Sequence, residues 1–245
     1  MKSTFFALFI AFVIVPQVVF SQSFSEQRFS VGIAPLSLIL PSGKVGLHAE
    51  WAYGANKSLS LTVGVPRSTR PPGWVLNSVS IAENGSVTTN EFYNFGIMIE
   101  NRFYFSQEAP YGFYLAPYLR YNKMWLDRIT ENPEKTGATT MRGTLYGIGV
   151  GGAVGWQIPL GEHFTLDATF AAIDLKWMRG NVSYSSTDTN NDIYELRDEV
   201  QAVVEDIPIV GKKLSAQIDG EQIKVRTPGV VLPAYRFSLT VNYLF

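Results

Sequence analysis

Acid–base chemistry in this sequence would have to come from a small set of residues. The chain has two histidines, and His48 stands two positions from Glu50. Residues two apart in a strand share a face, so the carboxylate could hold the imidazole as a general base. Hydroxyl groups follow on the next predicted strand, at Ser58, Ser60 and Thr62. Two interpretations stay open: an enzyme that modifies lipids with His48 and Glu50, or polar side chains that only fill space.

Other patterns that could carry chemistry are weaker. The glycines of Gly147-x-Gly149-x-Gly151-Gly152 alternate with apolar residues and precede no helix, unlike a nucleotide-binding loop. The run Asp188–Asp192 resembles part of a calcium loop but lacks its glycine and its late glutamate. The chain has no cysteine, which excludes disulfides and thiolate metal sites. We therefore expect no metal, no cofactor and no enzymatic activity.

The composition limits the classes of partner. The formal net charge is -1, so the sequence offers no excess of basic residues for nucleic acid. Charged residues make up only 17% of the chain, whereas aromatic residues reach 13% and glycine occurs 21 times. Few charges with many aromatic rings and glycines favour strands that contact lipid or a close-packed interior.

Residues 1–21 have the pattern of a secretory signal peptide. Lys2 provides the positive start, and an apolar stretch follows from Phe5 to Val15. Val19-Phe20-Ser21 then supplies suitable residues for cleavage before Gln22. The sequence therefore predicts export of a mature chain that comprises residues 22–245.

The mature chain shows the periodicity of β-strands. No segment has 18 consecutive apolar residues, so no membrane-spanning helix is predicted. Instead, apolar and polar residues alternate in about eight places, most clearly in the last one. The predicted strands are Phe29–Leu40, Lys44–Tyr53, Leu59–Val65, Phe92–Phe105, Phe113–Trp125, Thr144–Ile158, Phe164–Trp177 and Tyr235–Phe245.

The connections between these strands alternate in length. Short turns are predicted at 54–58, 106–112 and 159–163. Long loops are predicted on the other side, at 66–91, 126–143 and 178–233. Tight turns on one rim and long loops on the other are typical of an outer-membrane barrel, whose short rim faces the periplasm. Both chain ends then lie on the periplasmic side, as an even number of strands requires.

The long loops contain signals of their own. Asn84-Gly85 and Asp219-Gly220 predict two hairpins, which pair 79–81 with 87–89 and 214–218 with 222–225. A short amphipathic helix is predicted from apolar residues near helical spacing. They are Ile193, Leu196, Val200, Val203 and Ile207. This helix either packs on the neighbouring hairpin or binds a partner.

The polar face of the strands distinguishes a membrane barrel from a soluble, lipocalin-like one. That face consists mostly of Gly, Ser, Thr, Ala and Asn, whereas a water-facing exterior would be rich in Lys and Glu. Small residues fit the narrow interior of an eight-stranded barrel. A few charged residues share this face and could form ion pairs across the interior. They are Glu50, Glu100, Arg102, Arg120, Asp167 and Arg236.

Three places disturb the strand register. Pro35 and Pro117 fall inside predicted strands of a closed barrel, which has no free edge, so a bulge is predicted at each. The alternation of Phe164–Trp177 is lost near Ala171–Asp174, where a third bulge is predicted.

The end of the chain carries a resemblance to a known class. The run Arg236–Phe245, with Tyr243 two residues before Phe245, resembles the C-terminal signal by which outer-membrane barrels are recognised by the assembly machinery. The chain as a whole is similar to small eight-stranded barrels of the OmpA/OmpX type, and most similar to an uncharacterised barrel family of Bacteroidota. The supporting stretches are Val45–Gly54, Phe113–Tyr121 and Gly147–Ala168. The resemblance implies an all-β, eight-stranded antiparallel up-and-down transmembrane β-barrel in the outer membrane of a Gram-negative bacterium, and it assigns no catalytic residues.

The sequence thus predicts a non-enzymatic outer-membrane protein with a structural or surface-interaction role. Its expected partners are membrane lipid, the barrel-assembly machinery and an extracellular partner bound through the loops. Three alternatives stay open. They are a narrow channel, the lipid-modifying enzyme and a soluble periplasmic binding barrel. Any channel would be narrow, because eight strands leave an interior just wide enough for side chains.

Overall fold

Strands in the described part of the chain form one antiparallel sheet that closes on itself. The computed structural model describes residues 28–40, 42–70, 86–106, 108–131, 138–187, 194, 197–198, 200–201, 215–219 and 222–245. The strands are β1 Phe29–Ala34, β2 Lys44–Gly54, β3 Lys57–Pro66, β4 Ser86–Tyr104, β5 Gly112–Glu131, β6 Ala138–Pro159, β7 Phe164–Ser186, β8 Ser215–Asp219 and β9 Gln222–Leu244. A helix of one turn, α1, covers Leu36–Ile39.

Eight of these strands form a ring. Neighbours follow the order β1-β2-β3-β4-β5-β6-β7-β9, and β1 also pairs with β9. The closing contact joins Ser30–Ile33 of β1 to Val241–Leu244 of β9. β8 lies outside the ring and pairs only with the first residues of β9. The predicted eight-stranded antiparallel order is therefore confirmed, with every strand of the ring hydrogen-bonded on both sides.

Side chains alternate between the two faces of the ring with the period of two expected for strands. The inner face carries the fully buried polar residues, among them Glu50, Arg102 and Asn242. The outer face carries large apolar side chains, and Val150, Ile173 and Phe237 remain 64%, 55% and 75% exposed. The interior thus contains many buried polar and charged side chains beside its apolar clusters, whereas large apolar side chains lie on the outside, the reverse of a protein folded in water.

The strands on one side of the ring are longer than predicted. β5 continues to Glu131 and β6 begins at Ala138, so much of the predicted loop 126–143 is strand. The predicted loops 66–91 and 178–233 are likewise wrong where β4, β7 and β9 extend into them. The sequence signal was missed because the outward side chains become polar there, and the pattern of a greasy face against a polar face disappears although the backbone pairing continues.

Both proline predictions are wrong in detail. β1 ends at Ala34, and Pro35 precedes α1 with φ -62° and ψ -31°, because its ring favours the start of a helix and removes the N–H that a ladder needs. Pro117 stays in register opposite Gly152, without a bulge. The ladder of β5 with β4 is instead interrupted between the Glu100–Tyr118 and Phe103–Leu115 pairs, with the same register on both sides.

The predicted bulge in β7 is confirmed close to its expected position. The register with both neighbouring strands shifts between Thr169 and Ala172. Before the shift Asp167 and Thr169 face inward, and after it Ala172 and Asp174 do so. The extra residue therefore changes which parity of β7 lines the interior.

The predicted hairpin at 214–225 is present as β8 and the start of β9, although β9 runs on without a break into the ring. Residues 87–89 lie in β4. The signal peptide, the segment 79–81 with Asn84-Gly85, and the run Asp188–Asp192 lie outside the described residues. In the ranges that the structure describes, none of the helical residues form a segment long and apolar enough to span a membrane.

Candidate functional site

The strand period places acidic and basic side chains of several strands at one level of the interior. Ser60 of β3 pairs in register with Glu50 of β2 on one side and Glu100 of β4 on the other. Arg102 stands two residues beyond Glu100 and therefore shares its inner face. Because β3 contributes only a small serine between the two glutamates, the long side chains of β2 and β4 can meet above it.

The guanidinium of Arg102 lies at the centre of this level. Its nitrogens lie 3.2 Å from Glu50 Oε2, 2.8 Å from Glu100 Oε2 and 2.8 Å from Asp167 Oδ2. The guanidinium carbon also lies 4.5 Å from the centre of the Tyr114 ring. Its planar fork of donors suits several carboxylates at once. All of these groups are almost completely buried, so each charge depends on its partners for solvation.

Neutral donors complete the coordination of the acids. Tyr104 Oη donates to Glu50 Oε1 at 2.7 Å, and Tyr114 Oη donates to Asp167 Oδ1 at 2.8 Å. The Ser58 hydroxyl also donates to Glu50. Hydrogen bonds and ion pairs together compensate the burial of carboxylates, which would otherwise be very unfavourable.

Two further arginines lie in the interior farther from the short-turn rim than Arg102 does. Arg236 of β9 donates to Glu100 and stacks over the Tyr118 ring, with the guanidinium carbon 5.0 Å from the ring centre. Arg120 of β5 places one nitrogen 2.7 Å and 3.0 Å from the two oxygens of Asp174. All six charged residues predicted for the interior face it. We call Arg102, Glu50, Glu100, Asp167 and Arg236 the Arg102 cluster.

The sequence reasoning did not identify Asp174, the partner of Arg120, or the inward Tyr104 and Gln157. Asp174 would face outward if the parity of Asp167 continued along β7, and only the bulge turns it inward. Tyr104 shares the parity of Arg102, and this signal could have placed its hydroxyl group in the interior. Gln157 is also buried in the interior, with its Oε1 2.9 Å from Tyr104 Oη. It lies on the same face of β6 as the glycines, and the sequence analysis had interpreted that face as residues that only make room.

His48 and Glu50 each make contacts with other residues of the interior. His48 Nδ1 lies 3.1 Å from Thr62 Oγ1, and its Nε2 lies 3.8 Å from Glu50 Oε2, beyond hydrogen-bond distance. Glu50 already accepts from Arg102, Tyr104 and Ser58. Within the described ranges, no group of three or more His, Cys, Asp or Glu side chains is arranged to hold a metal ion. The geometry is that of an imidazole packed into a polar interior.

Aromatic rings cover the rim where the chain ends meet the short turns. Tyr243 packs edge-on against Phe164 and Phe245, with ring centres 5.3 Å and 5.0 Å apart. Phe245 in turn contacts Phe29 across the closing pair of strands. The predicted assembly residues Tyr243 and Phe245 therefore lie on the outer surface of the seam that closes the ring.

The opposite end of the ring has an apolar interior. We call the helical residues at 194, 197–198 and 200–201 the outer helix. Its Val200 is fully buried and belongs to a cluster of inward-facing residues. The other members of this cluster are Met141, Tyr184, Ile223 and Val225. Gln201 accepts a hydrogen bond from the Ala216 amide at 2.7 Å. The outer helix thus packs on the inner side of the extended strands. Of the predicted helix residues, Ile193, Leu196, Val203 and Ile207 lie outside the described residues.

Two groups at this end have shifted pKa values. Burial raises the pKa of the Tyr184 phenol to about 12. The hydrogen bond from Lys224 lowers the pKa of the Asp219 carboxyl, at the tip of the β8–β9 hairpin. The first shift reflects a dry apolar contact, and the second reflects an exposed ion pair.

Comparisons with known proteins show similarity to a solved structure and to a protein family. The crystal structure of a major outer membrane protein from Thermus thermophilus is similar to this chain with a TM-score of 0.40 and 17% sequence identity, over 90% of this chain and 100% of that chain. No curated protein matches the chain. A family model described as protein of unknown function (DUF3575) matches residues 43–191, more than half of the sequence. The chain therefore belongs to the DUF3575 family.

Proposed function

We propose that this chain is a β-barrel that spans the outer membrane of a Gram-negative bacterium, with a structural or surface-interaction role and no catalytic activity. The observation that carries the proposal is the band of exposed apolar side chains around the closed ring, which begins at the short-turn rim and ends near Tyr146 with a change of polarity. Such a surface would aggregate in water but is required in hydrocarbon, where a ring without free edges also satisfies every backbone group.

The height of the apolar band fits a bilayer. On β6 the outward residues from Trp156 to Tyr146 are apolar or aromatic apart from Gly152. At about 3.3 Å per residue and a tilt of about 40°, this stretch rises about 25 Å, the height of the apolar band of outer-membrane barrels. Lys123 lies at its upper limit, with its ammonium 4.7 Å from the Trp125 ring centre and 5.3 Å from that of Tyr146. Amphipathic residues of this kind favour the membrane interface.

Beyond that level the two faces exchange their polarity. Arg142 and Asn181 now point outward, and both are exposed. The inward positions there hold the apolar cluster around Val200. This exchange supports a boundary near Tyr146, with lipid below it and water above it, because a strand that leaves the membrane must bury its apolar residues inside.

The orientation follows from the connections. The short turns, the start of β1 and the end of β9 lie at one rim, which we assign to the periplasm. The extended strands, the outer helix and the β8–β9 hairpin would then lie outside the cell, where they could contact an extracellular partner. Outer-membrane lipid would surround the band, and the assembly machinery would recognise the last strand with Tyr243 and Phe245. The protein would then be related to small barrels of the OmpA/OmpX type and, most closely, to an uncharacterised barrel family of Bacteroidota.

The Arg102 cluster supports a structural role over a channel or an enzyme. Arg102, Glu50 and Glu100 are each at most 2% exposed, and their charges are satisfied by one another. A conducting path would need hydrated charges at this level, and a catalytic carboxylate would need a free oxygen. Mutual pairing across strands instead ties β2, β4, β7 and β9 together.

Substitution on the two sides of the proposed boundary tests the membrane location. Val150→Lys places a charge on the exposed outer face in the middle of the band, whereas Asn181→Lys places one on the exposed outer face beyond it. For protein folded into lipid vesicles, we expect Val150→Lys to lower the free energy of unfolding by about 2–4 kcal/mol and Asn181→Lys to change it by about 0.5 kcal/mol or less.

The same pair distinguishes the alternative of a soluble barrel. In that case the mature protein would remain monomeric in buffer without detergent, and Val150→Lys would be as harmless as Asn181→Lys. Either of these two results would overturn the proposal. Wild-type protein that folds only with lipid or detergent and migrates as a heat-modifiable band would support it.

A further inference from the structure

Cations outnumber acids in the outer half of the interior. Lys44 of β2 and Lys176 of β7 face inward there, beside the Arg120–Asp174 pair. Arg120 already engages both oxygens of Asp174. In the part of the chain that the structure describes, neither lysine has a carboxylate within 4.0 Å. One acid therefore faces three cations, whereas the acids are in excess in the Arg102 cluster.

A row of small residues gives these lysines their room. Five inward positions on neighbouring strands pair successively in register, and we call them the glycine row: Gly46, Gly64, Gly96, Asn122 and Gly147. Four of the five have no side chain, so this level of the interior has room for the side chains of its neighbours.

Both lysines lie along the glycine row from opposite directions. A Cβ atom at Gly64 would come within 2.5 Å of Lys44 Cδ, and one at Gly96 within 3.3 Å of Lys44 Nζ. A Cβ atom at Gly147 would come within 3.0 Å of Lys176 Cδ. Since Asn122 pairs with Gly96 on one side and Gly147 on the other, the two lysines point towards Asn122.

Unused donors surround the same point. Asn122 Nδ2 would lie 2.7 Å from a Cβ at Gly96, close to the ammonium of Lys44. Arg120 Nε is buried and has no hydrogen-bond partner among the described residues. Lys44, Lys176 and Arg120 are half-buried and not fully buried.

We propose that Lys44, Lys176, Asn122 and Arg120 form a binding site for a small oxyanion such as inorganic phosphate in the outer half of the barrel interior. A tetrahedral anion offers acceptors in several directions, which matches donors that converge from β2, β5 and β7. Its negative charge also compensates the mutual repulsion of three cations in a confined space of low dielectric constant. This site does not depend on membrane location, since it uses only the interior of the ring.

Titration calorimetry with inorganic phosphate tests the site on the folded mature protein in detergent micelles, at constant ionic strength maintained with chloride. We expect saturable binding by the wild type, and a dissociation constant raised ten-fold or more in Lys44→Met and in Lys176→Met. Lys57→Met is the matched control, because Lys57 is an exposed lysine at the short-turn rim with its ammonium 5.9 Å from the Phe103 ring centre. This variant should bind as the wild type does.

A second measurement needs no variant. A ligand that binds only the folded state raises stability with its concentration, so phosphate should raise the urea midpoint of the wild type above that in chloride of equal ionic strength. Absence of both effects in the wild type, or an equal loss of binding in Lys57→Met, would overturn the site. Selective loss in Lys44→Met and Lys176→Met would support it.

Discussion

Removal of the Arg102 guanidinium is the most direct test of whether the ion pairs of the Arg102 cluster stabilise the folded protein. Arg102→Met keeps a long flexible side chain but takes the shared cation from Glu50, Glu100 and Asp167 at once. Tyr104 and Tyr114 would still donate to two of these acids. Arg236 would still contact Glu100, but no cation within 4.0 Å would remain for Asp167 among the described residues.

The expected loss in the free energy of unfolding follows from the number of acids that lose a partner. Breaking one buried ion pair by removal of one partner typically costs about 3–5 kcal/mol, because the remaining charge stays buried. Three contacts of 2.8–3.2 Å are lost here, so about 3–5 kcal/mol is a lower bound. That corresponds to a change of about a hundred-fold to a few thousand-fold in the folding equilibrium constant.

Urea unfolding in lipid vesicles, followed by tryptophan fluorescence, measures this loss. Arg102→Lys is the first control, since it keeps the charge but not the fork of donors, and it should fall between wild type and Arg102→Met. Arg142→Met is the second control. Arg142 pairs with Asp127 at 3.5 Å on the outer surface, with 68% of its side chain exposed, so its loss should cost about 1 kcal/mol or less.

The reasoning would be refuted if Arg102→Met and Arg142→Met destabilised the protein equally. A fully folded Arg102→Met variant within about 1 kcal/mol of the wild type would mean that the cluster is solvated in another way, for instance by water that enters the interior. The structural role proposed for the Arg102 cluster would then have no energetic basis.

Three further outcomes are expected. Tyr114→Phe should lower the free energy of unfolding by about 1–3 kcal/mol, because Asp167 Oδ1 loses its donor, whereas Tyr53→Phe at the surface should be near neutral; urea titration of both decides this. Gly155→Ala should lower the free energy of unfolding by about 1–3 kcal/mol, since its Cβ would overlap Tyr114 Oη and lie 2.8 Å from the Ala168 carbonyl oxygen. Gly152→Ala, whose Cβ would have nothing within 4 Å, should fold normally. A Gly155→Ala protein as stable as Gly152→Ala would contradict the packing. Val200→Asp should release the outer helix from its apolar cluster and increase the rate of limited proteolysis at residues 194–201. Asp198→Asn, on the exposed side of the outer helix, should not change that rate. Equal cleavage rates in the two variants would show that the cluster does not hold the helix.

Much of the fold could be predicted from the sequence because a strand has an invariant period. Alternation predicted the eight strands, and it placed Glu50, Glu100, Arg102 and Asp167 on the inner face. The order around the ring followed from the lengths of the connections and from the resemblance to small outer-membrane barrels. The four charged residues are identified by parity, which requires no knowledge of distant contacts. The last strand, with Tyr243 and Phe245 on its apolar face, followed from the same rule.

The remainder depended on contacts between distant parts of the chain. The bulge in β7 had to be located to the residue before Asp174 could be assigned to Arg120, because a shift of one residue exchanges the two faces. The extended ends of β5, β6, β7 and β9 were hidden because their polarity is reversed beyond the band.

By itself, the sequence determined that one face of every strand is apolar and the other is polar, because each residue carries its own free energy of transfer from water. Only the tertiary structure decided which charges of different strands meet, since Arg102 of β4 reaches Glu50 of β2 and Asp167 of β7 only when the strands form the ring. It also decided that Lys44 and Lys176 lie along one row of glycines. Ion pairing depends on distances of a few ångströms between strands far apart in the chain, and no local pattern encodes those distances.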